Sequence, residues 1–155
     1  MIAPGDDVDR IMAVMASAFD PQFGEAWNRR QIIDALTLGV CDYLLLDAAG
    51  ESPAGDAPAA GFCLSRRGFD EEELLLLAVD PAWRRRGLAS RLLNGLAAAA
   101  RGRGAERLLL EMRQNNPAEQ LYLRYGFHRI GHRPGYYRTP NGLTLDAVTF
   151  ALELK

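Results

Sequence analysis

The chain has 155 residues and is poor in several things that narrow its chemistry. It contains one lysine, Lys155, so its basic charge is almost entirely arginine, and the net charge is −2. That balance gives no global electrostatic case for binding nucleic acid. Cys41 and Cys63 stand alone without C-x-x-C spacing, which points away from a redox pair or a zinc site and toward free thiols. His128 and His132 share no metal-type partners, so no metal is expected. No apolar run reaches transmembrane length, and the opening MIAPGDDVDR lacks the basic-then-apolar layout of a signal peptide. A cytoplasmic protein with no membrane partner is the expectation. With 48% hydrophobic and 25% charged residues, 1–155 reads as one globular domain.

Turn chemistry and periodicity divide the chain. Asp6 and Asp7 can cap a first helix through Ile11, Val14, Met15 and Ala18, and Pro21 to Ala26 breaks it. Asn28 can cap a second helix through Ile32, Ile33, Leu36 and Leu38, stopped by Gly39. Strands are expected at Tyr43 to Leu46, Gly61 to Ser65 and Glu73 to Val79, the first two joined by a long loop from Asp47 to Ala59. The unbroken leucines of the third suggest a central strand buried on both faces. A helix follows from about Gly87, with Leu88, Leu92, Leu93, Leu96 and Ala100 on one face, ending near Gly102–Gly104. Next come a strand from Arg107 to Met112 and a short helix that Asn116 can cap, with Pro117 at its first position. A long hairpin closes the chain: Phe127 to Tyr137, a turn at Thr139 to Gly142, and Leu143 to Leu154. The order indicates an α/β (mixed α+β) domain with one central sheet of about six or seven strands and four helices.

The most informative stretch is LLLLAVDPAWRRRGLASRLL, Leu74 to Leu93: a buried strand, an arginine-rich turn and the open N-terminus of a helix. Unpaired backbone N–H groups and the positive end of the helix dipole suit a phosphate there. Gly87 and Ala89 keep the approach open, and Arg84, Arg85 and Arg86 add charge-assisted donors. Downstream stand Leu110-Glu111-Met112-Arg113 and then Asn115-x-x-Ala118-x-x-Leu121-Tyr122-x-x-x-Gly126-Phe127.

In this order the two motifs resemble the GNAT superfamily of acetyl-CoA-dependent N-acetyltransferases, from about Glu73 to the C-terminus. The resemblance implies a mixed, mostly antiparallel sheet splayed between the family's fourth and fifth strands, with acetyl-CoA wedged in the opening. It implies that the backbone of Leu77, Ala78 and Val79 pairs with the pantetheine arm, with the Val79 N–H an oxyanion donor. Arg84, Arg85, Arg86, Gly87, Leu88, Ala89 and Ser90 would surround the pyrophosphate, and Asn115 would hydrogen-bond the pantetheine. Tyr122 would donate a proton to the departing thiolate. A base must take the amine's proton, and Glu111 at a strand end is the first candidate, through a water. Glu73 is the alternative base, because regular alternation would put it on one face with Leu75, Leu77 and Val79.

Within the superfamily the chain is most similar to the RimI (ribosomal-protein alanine N-acetyltransferase) branch. Leu110 to Arg113, Tyr136-Tyr137, Gly142 with Asp146-Ala147, and Trp27-Asn28 carry that likeness. It implies that Trp27, Tyr136 and Tyr137 bind the acceptor, a protein N-terminus. At pH 7 an α-amine with pKa ~7.8 is about a tenth neutral, whereas a lysine at ~10.4 is neutral below roughly one part in a thousand. That favours the easier amine. The chain departs from the branch in a shorter Glu111–Asn115 link, a longer final turn and a longer connection from Phe19 to Ala26. A small amine (polyamine, amino sugar or amino acid) is the alternative acceptor, and a non-catalytic acyl-CoA-binding module the alternative class. Oligomeric state is not legible.

Overall fold

The computed structural model describes residues 6–19 and 24–154. Helix α1 is Asp6–Ala18 and α2 is Arg29–Thr37. Strands β1 (Cys41–Leu46), β2 (Gly61–Arg67) and β3 (Glu71–Val79) follow. A 3-10 turn at Pro81–Trp83 leads toward α3 (Leu88–Gly102), then β4 (Arg107–Arg113) and α4 (Glu119–Tyr125). The terminal hairpin is β5 (His128–Arg138) and β6 (Thr144–Glu153). Helix α2 begins in the expected capping box: Asn28 Oδ1 accepts from the Gln31 N–H, and the Gln31 side chain accepts from the Asn28 N–H. The expected cap of α1 involves Asp6, whose side chain lies outside the described residues. Asp7 binds Arg10 at 2.9 Å and accepts from the Tyr43 hydroxyl at 2.5 Å, and residues ahead of Asp6 lie outside the described ones. So does part of the 19–26 connection, at 20–23.

The six strands form one sheet in the order β1-β2-β3-β4-β6-β5. Every neighbouring pair is antiparallel except β3 with β4. Two apolar cores sit on its two faces. Leu92, Leu93 and Leu96 of α3 pack with Leu108, Leu110 and Phe150 on one side. Ile11, Met15 and Ile32 of α1 and α2 pack with Phe62, Leu64 and Leu76 on the other. Strand β3 is third of six and covered on both faces, as its leucine run requires. Burying one leucine of this kind contributes about 1.5–3 kcal/mol, so α3 is held by its apolar stripe rather than by helix propensity.

The expected splay is present. Counted along this chain it falls between the third and fourth described strands, the same two stretches whose family ordinals are fourth and fifth. Strands β3 and β4 pair only from Glu71↔Arg107 to Leu74↔Leu110, although both continue, to Val79 and Arg113. Each then stays with its other neighbour, β3 with β2 and β4 with β6. A β-bulge explains the parting: Ser65 pairs with Leu74 but Leu64 pairs with Leu76, which leaves Leu75 as an extra residue in β3. Bulges bend and over-twist their strand, and this one comes directly after the last β3–β4 pair. It also breaks the period-two alternation. Leu74 and Val79 belong to the α3-side core, whereas Leu76 and Ala78 belong to the α1–α2 side.

Candidate active site

The splay opens a cleft of about 750 Å³ through the sheet. Residues 74–79 of β3 form one wall and 110–113 of β4 the other. Ala89 of α3 and Tyr122 of α4 reach it from one layer, and Gly24, Glu25, Ala26 and Trp27 from the other.

On the β3 wall, the Asp80 N–H donates to Ala60 O at 2.7 Å. Antiparallel pairing alternates, so Leu77 and Val79 turn their N–H and C=O groups away from β2, toward the opening. No strand pairs with them there, because β4 has diverged. Arg84 stands at the end of this wall. Its Nε donates to Val79 O at 3.2 Å and its Nη2 to Ala18 O at 3.2 Å. Arg84 is therefore first a brace between the turn, the strand end and α1, whereas the sequence suggested a phosphate ligand.

The turn itself is shaped for an anion. Arg85 (φ 64°) and Gly87 (φ 77°) are both left-handed. Gly87 is the N-cap of α3 without any side-chain cap, and a Cβ there would meet nothing within 4 Å. The first intrahelical bond is Arg91 N–H to Gly87 O, 3.0 Å, so the N–H groups of Leu88, Ala89 and Ser90 have no helical partner. Leu88 buries its side chain, Ala89 lines the cleft and Ser90 is exposed. Arg86 lies over the Trp83 ring at 5.0 Å. An uncapped helix end, a left-handed glycine and a free strand edge fit a phosphorylated, amide-bearing chain lying across both.

On the β4 wall Glu111 accepts two bonds from Arg133 Nη2, at 2.7 and 2.8 Å, and one from Nε at 3.0 Å. Thr149 Oγ1 adds a fourth at 3.2 Å. Arg113, two residues further along β4, pairs with Glu25 at 3.4 Å. Tyr137 lines the cleft near both carboxylates. Burial, then the charges of Glu111 and Glu25, push its phenol up to about 12. Tyr122 is buried with its ring edge-on to Phe127, at 5.5 Å and 75°. Burial first, then Cys63, raises its phenol far above the ordinary range. Among the described residues its hydroxyl has no hydrogen-bond partner, although it borders the cleft.

Residues 48–129 match the model of the acetyltransferase (GNAT) domain. The chain belongs to the GNAT family. The [ribosomal protein bS18]-alanine N-acetyltransferase of Haemophilus ducreyi is 42% identical over 94 residues, 60% of this chain and 65% of that protein. The Escherichia coli enzyme of the same name is 38% identical over 96 residues, 61% of this chain and 64% of that protein. The chain thus spans just under two thirds of the length of these relatives. The crystal structure of the ribosomal-protein-S18-alanine N-acetyltransferase from Escherichia coli superposes with a TM-score of 0.79 at 26% identity, covering 100% of this chain and 92% of that one. Arabidopsis thaliana NAA60 in complex with acetyl-CoA shares the fold, with a TM-score of 0.76 at 21% identity over 98% and 95% of the two chains.

In this GNAT domain the structure brings most of the expected residues to the cleft or to the turn at its end, where Arg85, Arg86, Gly87, Leu88 and Ser90 lie, and leaves Glu73, Asn115 and Tyr136 out of its lining. Leu77, Ala78, Val79, Ala89, Glu111, Tyr122, Trp27 and Tyr137 all border the cleft. Glu73 does not. The Leu75 bulge keeps it on the opposite face from Leu77 and Val79, where it forms an ion pair with Arg66. Asn115 is exposed in a left-handed turn (φ 66°), and Asn116 borders the cleft in its place. Asn116 does not cap α4 as expected: its Oδ1 accepts from the Ala118 N–H at 2.9 Å in the turn ahead of the helix, which starts at Glu119 with Ala118 as its N-cap and no side-chain cap bond. Tyr136 is 53% exposed and packs edge-on against Tyr137 at 5.3 Å, on the rim. Sequence reasoning did not find Glu25 or Arg133. Both are set by register and loop path, which have no local signature.

Among the described residues no group of three or more His, Cys, Asp or Glu could hold a metal. No helix among them is long and apolar enough to cross a membrane.

Proposed function

We propose that this GNAT domain transfers the acetyl group of acetyl-CoA to the α-amine of a protein N-terminus, with the N-terminal alanine of ribosomal protein bS18 as first candidate. The observation that carries the reading is the cleft passing through the sheet. A cofactor entry at the uncapped α3 meets an acceptor entry at Trp27, Glu25 and Tyr137. The names of the Haemophilus and Escherichia relatives support the acceptor.

Acetyl-CoA supplies a thioester, and this chain's residues do the rest. The Leu77 and Val79 edge would take the pantetheine amides. Residues Arg85, Arg86, Gly87, Leu88, Ala89 and Ser90 would take the pyrophosphate, with Arg84 bracing the turn. Asn116, with Asn115 beside it, faces the same arm. The Val79 N–H would donate to charge developing on the thioester oxygen. Glu111 would draw the amine's proton through a water, since both its oxygens are engaged by Arg133 and direct contact would displace that pair. Tyr122, kept protonated by burial, would hold its proton for the leaving sulfur. Tyr137 and Trp27, with Tyr136 at the rim, would line the acceptor.

The deciding experiment is mass spectrometry on a peptide panel with free and blocked N-termini. Acetylation of α-amines, alanine first, is expected. Modification of lysine side chains or small amines alone would remove the reading.

A further inference from the structure

The acceptor side of the cleft depends on an irregularity in β5. Arg133 pairs with Ala147 and Tyr137 with Leu145, so four steps along β5 match two along β6. A regular strand would put residue 135 opposite Leu145. The two extra residues therefore draw Tyr137 back by about 7 Å along the sheet, to the level of the cleft. Pro134 offers no N–H to the ladder, and Gly135 takes φ 63°.

One residue closes this bulge. Asp146 Oδ1 accepts the Gly135 N–H at 2.8 Å, and Oδ2 lies 2.9 Å from His132 Nε2. The main-chain carbonyl of Asp146 accepts the Gln114 N–H at 2.7 Å. Gln114 opens the turn through Asn115 that brings Asn116 to the cofactor wall. A single residue thus touches both the hairpin of the acceptor side and the turn of the cofactor side. The Gly135 N–H, then His132, hold its carboxyl below the usual carboxylate range.

We propose that Asp146 is a positioning residue for the acceptor: it pins the β5 bulge that delivers Tyr137 to the cleft. The role rests on the functional reading above only in naming the acceptor. It acts through Gly135 and His132, without touching substrate.

The test pairs steady-state kinetics, using acetyl-CoA and a peptide with a free N-terminal alanine, with hydrogen exchange of the β5 amides. Asp146→Ala should raise the KM for peptide about ten-fold, as expected for losing a charge-assisted bond that orders a wall, and leave the KM for acetyl-CoA unchanged. The Gly135 amide should exchange faster. Asp146→Asn keeps an oxygen acceptor for Gly135 and should restore both readouts. If Asp146→Ala fails to fold, His132→Ala, at a half-exposed position, should show the same split with a smaller shift. Unchanged peptide KM and Gly135 exchange would overturn the proposal, as would failure of Asp146→Asn to restore them. If the wild type acetylates no α-amine, the acceptor assignment falls, while Gly135 exchange in the Ala and Asn variants still decides the clamp.

Discussion

The guanidinium of Arg133 grips both carboxylate oxygens of Glu111, at 2.7 Å to one and 2.8 Å to the other, across the intervening strand β6. The contact joins the exposed edge strand to the wall of the cleft. It fixes the carboxylate's orientation where a lone glutamate would sample several rotamers. It also places a permanent positive charge beside the group proposed to handle the amine's proton.

Glu111→Gln should therefore lower kcat by about a hundred-fold, the scale of a lost general base, with acetyl-CoA affinity unchanged. Glu73→Gln should leave turnover as it is, since Glu73 lies outside the cleft with Arg66. Paired steady-state measurements decide between them. A fall only in the Glu73 variant would reassign the base.

Tyr122→Phe should reduce turnover by about a hundred-fold while acetyl-CoA binding, read by calorimetry, stays level. Removing this hydroxyl breaks no hydrogen bond among the described residues, so Tm should not drop. A large loss of Tm would mean that the phenol is structural.

Gly87→Val should weaken acetyl-CoA binding by about ten-fold, because a β-branched residue at a φ of 77° carries strain on the order of 1–3 kcal/mol. Its side chain would also project into the anion's approach. The measurement is the thermal shift produced by acetyl-CoA. An equal shift in wild type and variant would place the phosphates elsewhere.

The phenol of Tyr137 is pushed up to about 12, by burial first and by Glu111 and Glu25 next. A group raised above its unfolded value, ~10 for tyrosine, gives stability that is complete below that value and lost as pH rises through the folded one. Tm should therefore fall between about pH 10 and 12. Absorbance at the phenolate band should lag behind five ionised tyrosines until the fold opens. Full ionisation of all five in the folded protein would contradict the burial of Tyr122 and Tyr137.

At the far end of β3, Glu72 is 1% exposed and is held by Arg103 at 2.6 and 3.0 Å and by Ser65 at 2.8 Å. Arg103→Ala would leave a buried carboxylate without its cation, at a cost of about 3 kcal/mol in chemical denaturation. Turnover at a permissive temperature should be unaffected, because the pair lies outside the cleft.

The sequence by itself determined the elements and the uncapped, arginine-rich turn ahead of α3. Helix and strand periodicity, the Asn28 cap and the Gly87 turn are local. So is the chemistry of an arginine-rich turn before an uncapped helix, because it needs only neighbours in the chain. The tertiary structure decided which carboxylate faces the cleft. Period two holds only until a bulge, and the Leu75 bulge both parts the sheet and removes Glu73 from the face of Val79. It also decided that Asn116 rather than Asn115 borders the cleft, that Arg133 of the edge strand holds Glu111, and that Asp146 accepts from Gly135 in the hairpin. These outcomes depend on register between strands far apart in the chain. Register is fixed by packing the whole sheet against both cores, and no short stretch of residues encodes it.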